Sequence, residues 1–177
     1  MQDFGALSRS EEDTAFHEAG HAVMMRVFGR EPSRATIVRN GLVFGCVDCQ
    51  PITDGLLGRH LDARPEKRRA VNIHLLETVA GSVAHDLSLP GRQHDNADAH
   101  DLEYARKFLL DHAGWVQAED RDAYLERLIE RASSILREHL EDVRKVATAL
   151  LNQKTLDGAE LIALCEPGTD ADWEILY

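Results

Sequence analysis

The sequence predicts a mainly α (α+β) fold: a helical domain with a small β-hairpin or sheet after its first helix. Two observations favour this class. Apolar residues recur at helical spacing over most of the chain, whereas β-branched and aromatic residues cluster in one short stretch. The 177 residues suit one domain (1–177), in which we expect 1–10 to be a flexible N-terminus and 167–177 a C-terminal tail.

The composition excludes several classes of partner. The formal net charge is -11, so the field of the protein repels nucleic acid and anionic membrane surfaces. The chain contains no apolar run near the roughly 20 residues of a membrane span, and its first residues lack the pattern of a signal peptide. Three cysteines do not make a disulfide framework. We therefore expect a cytoplasmic protein with reduced thiols.

The first helix is predicted over about 11–28. Ser10 and Asp13 have the spacing of an N-terminal capping pattern, and Gly29 is a plausible stop. The stretch RATIVRNGLVFGCV then contains two strand-like runs around Asn40-Gly41, a dipeptide typical of hairpin turns. Two strands are expected there.

A loop, PITDGLLGRHLDARP, leads to a second helix. Pro65 is a suitable first residue for this helix, and apolar side chains at four-residue spacing extend it to about Leu87. Gly81 inside it costs about 1 kcal/mol relative to alanine. Close packing against a neighbour would offset that cost.

The C-terminal half is predicted to be helical. A third helix, capped by Asp98, ends near Gly114. The following periodic stretch, about 120–152, is too long for one globular helix, so we expect a break around His139 to Asp142. The segment TLDGAELIALCE predicts a short last helix.

The motif HEAGH, residues 17–21, lies in the middle of the first predicted helix. Positions i and i+4 share one helix face, so His17 and His21 can present two imidazoles to one metal ion. Glu18 lies close enough to act as a general base on water at the metal. A chain of this composition would contain roughly 0.04 such HExxH matches by chance. The alternative is a core helix in which a histidine is hydrogen-bonded to a carbonyl.

A catalytic zinc site needs a third protein ligand. The compact pattern HExxHxxGxxH is excluded, because Met24 and Val27 occupy its last two positions. The acid-rich stretch HDNADAHDLEY offers several candidates, and spacing alone does not choose among them: His94, Asp95, Asp98, His100 and Asp101.

Several segments together resemble the peptidase domain of the FtsH-type ATP-dependent zinc metallopeptidases. These are HEAGHAV, ATIVRNGLVFGCV, AGSVAHDL, ADAHDLEYAR and ALLNQKTLDGAELIAL, which occur in the family's order over most of residues 14–166. The resemblance implies that His17, His21 and Asp101 bind zinc and that Glu18 is the general base. It also implies that Asp98 is a helix cap and Asp95 a loop residue.

The chain also departs from this family. Family members carry an ATPase module, but these residues contain no GxxxxGK[ST] phosphate-binding loop. We therefore expect no ATPase activity of its own, and a separate ATPase or adaptor becomes a candidate partner. Ser82 and His85 replace a basic and an acidic residue of the family's pattern.

Two other groups invite a metal interpretation. Cys46 and Cys49 form a lone CxxC, which we interpret as a reduced pair on the second strand rather than a structural zinc site, and Cys165 is expected in the core. Adjacent His85 and Asp86 suggest a metal-dependent phosphohydrolase. That class needs further ligands, which His60 or His74 and Asp101 would have to supply.

The sequence as a whole predicts a zinc-dependent endopeptidase that acts on unfolded or extended polypeptides. The substrate is expected to add to the hairpin edge around 43–49, and oligomers are compatible with this function. The rival hypothesis is a non-catalytic interaction or scaffold protein that retains the peptidase fold.

Overall fold

The computed structural model describes residues 10–40, 45–49, 65–92 and 96–168. The expected flexible residues 1–9, the middle of the hairpin, nearly all of the predicted 51–65 loop and the end of the tail lie outside the described residues. The elements are, in chain order, α1 (Glu11–Val27), β1 (Pro32–Thr36), β2 (Cys46–Cys49), α2 (Pro65–Ser88), α3 (Asn96–His112), a 3-10 turn (Ala118–Asp120), α4 (Arg121–Glu138), α5 (Leu140–Gln153), β3 (Thr155–Asp157) and α6 (Gly158–Leu164). The mainly α class with a small sheet is confirmed.

Helix α1 begins and ends where the sequence predicts. The Ser10 hydroxyl accepts a hydrogen bond from the Asp13 amide, and the Asp13 carboxylate accepts one from the Ser10 amide, which completes a capping box. Gly29 follows the helix with a φ of 66°, a conformation that favours glycine. The helix is thus fixed at both ends by local chemistry.

In the part of the chain that the structure describes, the sheet has three strands, not the two that the sequence predicts. Its order is β2-β1-β3, and both pairings are antiparallel. The β1–β2 ladder runs from Pro32 opposite Cys49 to Thr36 opposite Cys46. Because β1 is central, β2 is an edge strand among the strands described. Gly41 lies outside the described residues, so the turn type stays a prediction.

The third strand comes from a segment that was expected to be helical. Thr155–Asp157 pair with β1, and only Gly158–Leu164 form the last helix. Asp157 caps this helix through a reciprocal hydrogen-bond pair with Glu160. The helical prediction for residues 155–157 was wrong because pairing to a central strand outweighs local propensity over three residues.

Helices α1 and α2 form the centre of the fold. Helix α1 packs on α2 and α5, while α2 also packs on α3 and α4. Gly20 marks the closest approach of α1 and α2, because a Cβ placed there would lie 2.4 Å from both the Ala80 carbonyl oxygen and the Ala84 Cβ. The glycine of HEAGH therefore allows two helix backbones to approach.

The remaining helices match most of the predicted boundaries. Helix α2 runs from Pro65 to Ser88, and the long C-terminal stretch breaks at His139, between α4 and α5. Helix α3 is the exception. It begins at Asn96, so Asp98 lies in its first turn and is not its N-cap. Within the described residues, no helix is both long and apolar enough to cross a membrane.

Replacing Gly20 with alanine tests the helix contact. In an exposed helix interior, alanine is more favourable than glycine by about 1 kcal/mol. Here, however, its methyl group would overlap Ala80 and Ala84. We expect Gly20→Ala to lower the free energy of unfolding by about 1–3 kcal/mol, measured by urea denaturation. A variant more stable than the wild type would contradict this packing.

Candidate metal centre

Three side chains converge between α1 and α3. His17 and His21 lie one turn apart on α1, and Asp101 lies on α3. The two Nε2 atoms are 3.1 Å apart, and Asp101 Oδ2 is 2.9 Å from His17 Nε2 and 3.3 Å from His21 Nε2. In the described part of the chain, this ligand trio (His17, His21 and Asp101) is the one group of three or more His, Cys, Asp or Glu residues close enough to share a metal ion.

The Nδ1 atom of each imidazole, which faces away from the other two side chains, has a hydrogen-bond partner that determines where the ring carries its proton. His17 Nδ1 is 2.9 Å from Asp98 Oδ1, and His21 Nδ1 is 2.7 Å from the Glu77 carbonyl oxygen. A carboxylate and a carbonyl only accept hydrogen bonds, so both Nδ1 atoms must donate. In neutral histidines the two Nε2 atoms then carry no proton, and each presents a lone pair.

The three converging atoms are therefore all acceptors. Asp101 Oδ2 is buried and receives no hydrogen bond when both Nε2 atoms are lone pairs. Three acceptors about 3 Å apart repel one another unless a cation, either a proton or a metal ion, lies between them. The trio is thus built to hold positive charge.

The electrostatics of the metal-free protein show the same preference. Burial by itself lowers the pKa of His21, but the hydrogen bond and charge of Asp101, followed by the charge of Glu18, raise it to about 9. Burial also acts to raise the pKa of Asp101, yet its hydrogen bonds with His17 and His21 hold that pKa far below its usual range. Both shifts favour a positive charge on the trio.

The donor set and its spacing suit zinc. Imidazole nitrogen and carboxylate oxygen are common zinc ligands, and bonds of about 2.0–2.1 Å in a tetrahedron place neighbouring ligand atoms about 3.3–3.4 Å apart. The observed separations of 2.9–3.3 Å are slightly shorter. Gly81 of α2 backs the site, since a Cβ there would lie 2.5 Å from His21 Nε2 and 2.7 Å from His17 Nε2. Only glycine leaves this space open.

The trio is open to solvent on one side. The side chain of His17 is 4% exposed, whereas His21 is 15% and Asp101 21% exposed. A fourth ligand from solution would therefore approach past His21 and Asp101. Three protein ligands with an accessible fourth position are typical of catalytic rather than structural zinc sites.

Glu18 lies beside the trio and next to the edge strand. It is buried, its charge acts on His21, and a Cβ on Gly45 would lie 2.6 Å from Glu18 Oε1. Gly45 immediately precedes β2. The carboxylate that the motif suggests as a base is therefore located between the trio and the start of β2.

A buried ion pair supports the carbonyl that holds His21. The Arg30 guanidinium pairs with the Glu77 carboxylate and also donates a hydrogen bond to Cys49 Sγ on β2. Burial raises the pKa of Glu77 to about 7, even though Arg30 acts to lower it. This contact ties α2, which orients His21, to the edge strand.

The other sequence candidates lie elsewhere. His100 is exposed on α3, while His94 and Asp95 lie outside the described residues. Asp98 is not a helix cap but the hydrogen-bond partner of His17. The sequence offers one signal for this role: Asp98 precedes Asp101 by three residues, so the two share a helix face. Nothing in the sequence indicates the role of the Glu77 carbonyl.

The phosphohydrolase interpretation receives no geometric support from the described residues. His85 Nε2 faces Asp13 Oδ1 at 3.3 Å, and Asp86 is exposed. His74 contacts Tyr104, and His60 lies outside the described residues. These groups do not join Asp101 in one cluster.

The cysteines behave as the sequence predicts. Cys46 and Cys49 are thiols on β2 that form no disulfide, and burial raises the pKa of both. Cys165 is 4% exposed in the core, where burial and then Asp142 raise its pKa to about 12. All three are expected to remain protonated at neutral pH.

Comparison with curated proteins gives one similarity that bears on this site. The chain is 27% identical over 186 aligned positions to the ATP-dependent zinc metalloprotease FtsH 1 of Thermomicrobium roseum. The alignment covers 85% of this chain and 28% of that protein, so the chain spans about a quarter of its relative. No protein-family model matches the sequence. This distant similarity is consistent with a zinc metallopeptidase.

Removing the negative charge of the His17 hydrogen-bond partner should weaken metal binding. Asp98→Asn leaves a neutral side chain where a carboxylate orients the imidazole, and loss of such partners typically costs 10–100-fold in metal affinity. We expect that loss in a zinc competition titration against a chromophoric chelator. Glu103→Gln, which removes an exposed carboxylate from the same helix, is the matched control. Equal affinities for Asp98→Asn and the control would contradict the role of Asp98.

Zinc should change how stability depends on pH. The pKa of His21 is raised to about 9 from its ordinary value of 6.5, so without zinc its protonation stabilises the fold fully below pH 6.5 and progressively less as the pH rises through 9. We expect the unfolding free energy in chelator to fall across this window in urea titrations. Zinc replaces the proton, so the loaded protein should not show this fall. Parallel pH profiles with and without zinc would contradict the assignment.

Proposed function

We propose that this chain is a zinc-dependent endopeptidase that acts on unfolded or extended polypeptides. His17, His21 and Asp101 are the zinc ligands, and Glu18 is the general base. The observation that carries the proposal is the convergence of three lone-pair donors beside a buried glutamate. The distant similarity to a zinc metalloprotease supports the same chemistry.

The chemistry divides between the bound ion and the protein. Zinc at the trio would supply Lewis acidity to the scissile carbonyl and lower the pKa of water. Glu18 accepts a proton from the attacking water as its oxygen bonds to the carbonyl carbon. The same carboxyl group then delivers the proton to the amide nitrogen as the C–N bond breaks. Asp98 and the Glu77 carbonyl keep both imidazoles in the tautomer that binds metal.

The edge strand provides a route for an extended substrate. A polypeptide that pairs with the outer edge of β2 passes Gly45, and Gly45 contacts Glu18. Main-chain hydrogen bonds of this kind bind many sequences, because they do not depend on side chains. Folded proteins have few free extended segments, so unfolded polypeptides are the expected substrates.

The supply of unfolded substrate is a separate question. The relative is named as ATP-dependent, whereas these residues contain no phosphate-binding loop of the GxxxxGK[ST] type. We propose that a separate ATPase or adaptor presents folded proteins to this chain, and that already unfolded chains need no such help.

Replacing the base separates catalysis from metal binding. Glu18→Gln keeps the size of the side chain but does not accept a proton, so we expect cleavage of an unfolded protein to fall by about 10²–10⁴-fold. Zinc content, measured by atomic emission after dialysis, should stay at the wild-type level. Gly45→Ala should also slow cleavage and retain zinc, since its methyl group displaces the Glu18 carboxylate.

The cleavage and zinc-content measurements also distinguish an enzyme from a binding scaffold. A zinc-loaded wild type that cleaves no unfolded protein, like Glu18→Gln, would refute the endopeptidase and favour the scaffold alternative. A wild type that binds no zinc would refute the metal centre itself.

A further inference from the structure

We propose that Tyr104 and His74 form a binding site for an aromatic or large aliphatic side chain of the polypeptide substrate, about one helical turn from the ligand trio. This inference rests on the proposed function, because it assigns the substrate preference of the same site.

The two residues adjoin the trio on different helices. Tyr104 follows the ligand Asp101 by three residues on α3, so the two lie on neighbouring positions of one helix face. His74 precedes Glu77 by three residues on α2, and the Glu77 carbonyl holds His21. The Tyr104 hydroxyl and His74 Nε2 are 3.3 Å apart. The pair therefore joins α2 and α3 about one turn from the metal ligands.

The buried ring of Phe108 packs against both His74 and Tyr104. The Phe108 side chain is 8% exposed, its ring centroid is 4.1 Å from that of His74, and its ring stacks at 6.2 Å on Tyr104. His112 continues the cluster at 4.3 Å from Phe108. Held rings can bind another apolar group with little loss of conformational entropy.

Tyr104 presents much of its side chain to solvent. It is 45% exposed. One face of the ring stacks on Phe108, and the rest leaves apolar surface in contact with solvent. It also lies next to Asp101, one of the two members of the trio that solvent reaches. A substrate bound at the accessible side of the trio would therefore pass close to this ring.

The surface favours uncharged side chains. Burial, followed by the charges of Arg30 and His112, lowers the pKa of His74 to about 4, so His74 is neutral at physiological pH. Arg30 is paired with Glu77 and offers no free charge for an acidic side chain. The rings provide dispersion and stacking contacts, so phenylalanine, tyrosine or leucine suits them better than aspartate or glycine.

Peptide binding tests the site without requiring cleavage. We would use labelled decapeptides of alanine, serine and threonine with one central phenylalanine, leucine, glycine or aspartate, and zinc-loaded Glu18→Gln as the non-cleaving protein. Fluorescence polarisation should show tighter binding of the phenylalanine and leucine peptides than of the other two. Adding Tyr104→Ala should reduce the ratio of phenylalanine to glycine affinity by about three- to tenfold.

Two variants control for general effects. Tyr104→Phe keeps the ring and should keep the preference. Leu110→Ala removes another exposed apolar side chain of α3, 54% exposed and nine residues from Asp101, which places it on the opposite helix face. It should also keep the preference. An unchanged ratio in Tyr104→Ala, or a lost preference in Leu110→Ala, would overturn the proposal.

Cleavage by the protein with Glu18 intact separates this inference from the function on which it rests. The ratio of kcat/KM for the phenylalanine and glycine peptides should fall in Tyr104→Ala, mainly through KM. Selective binding without any cleavage would refute the endopeptidase but retain the site. Cleavage without any preference for large apolar side chains would refute the site but retain the endopeptidase.

Discussion

The candidate site depends on two hydrogen bonds that point away from it. Asp98 and the Glu77 carbonyl each accept the Nδ1 proton of one histidine, so both Nε2 lone pairs face Asp101. This arrangement is unfavourable by itself, because three acceptors lie about 3 Å apart in a largely buried position. It becomes favourable when positive charge occupies the centre. The surrounding structure can be understood as the support for this arrangement.

Three helices supply that support. Helix α1 carries both histidines, α2 supplies the Glu77 carbonyl and the space at Gly81, and α3 supplies Asp98 and Asp101. Gly20 lets α1 and α2 approach closely. An error of an ångström in their spacing would separate the donors, so the packing of small residues in the core bears directly on metal binding.

The sheet contacts the site at both ends of its strand β2. Gly45, which immediately precedes its strand β2, lies beside Glu18, and β2 ends at Cys49, where Arg30 joins it to Glu77 of α2. Glu18, the Glu77 residue whose carbonyl holds His21, and β2 are thereby linked through short contacts. In the proposed function, this linkage aligns a polypeptide backbone with the metal, while Tyr104 and His74 select among its side chains.

The sequence by itself determined what local chemistry dictates. It gave the capped helix around HEAGH, the boundaries of α2, the break at His139 and the edge strand carrying Cys46 and Cys49, because caps, periodicity and β-branched runs act over a few residues. Spacing alone left the third metal ligand open among five residues, and only a resemblance selected Asp101. Tertiary structure brought Asp101 to the histidines, gave Asp98 its contact with His17 and turned residues 155–157 into a strand. These outcomes depend on contacts between residues about 80 to 120 positions apart, which no local pattern encodes.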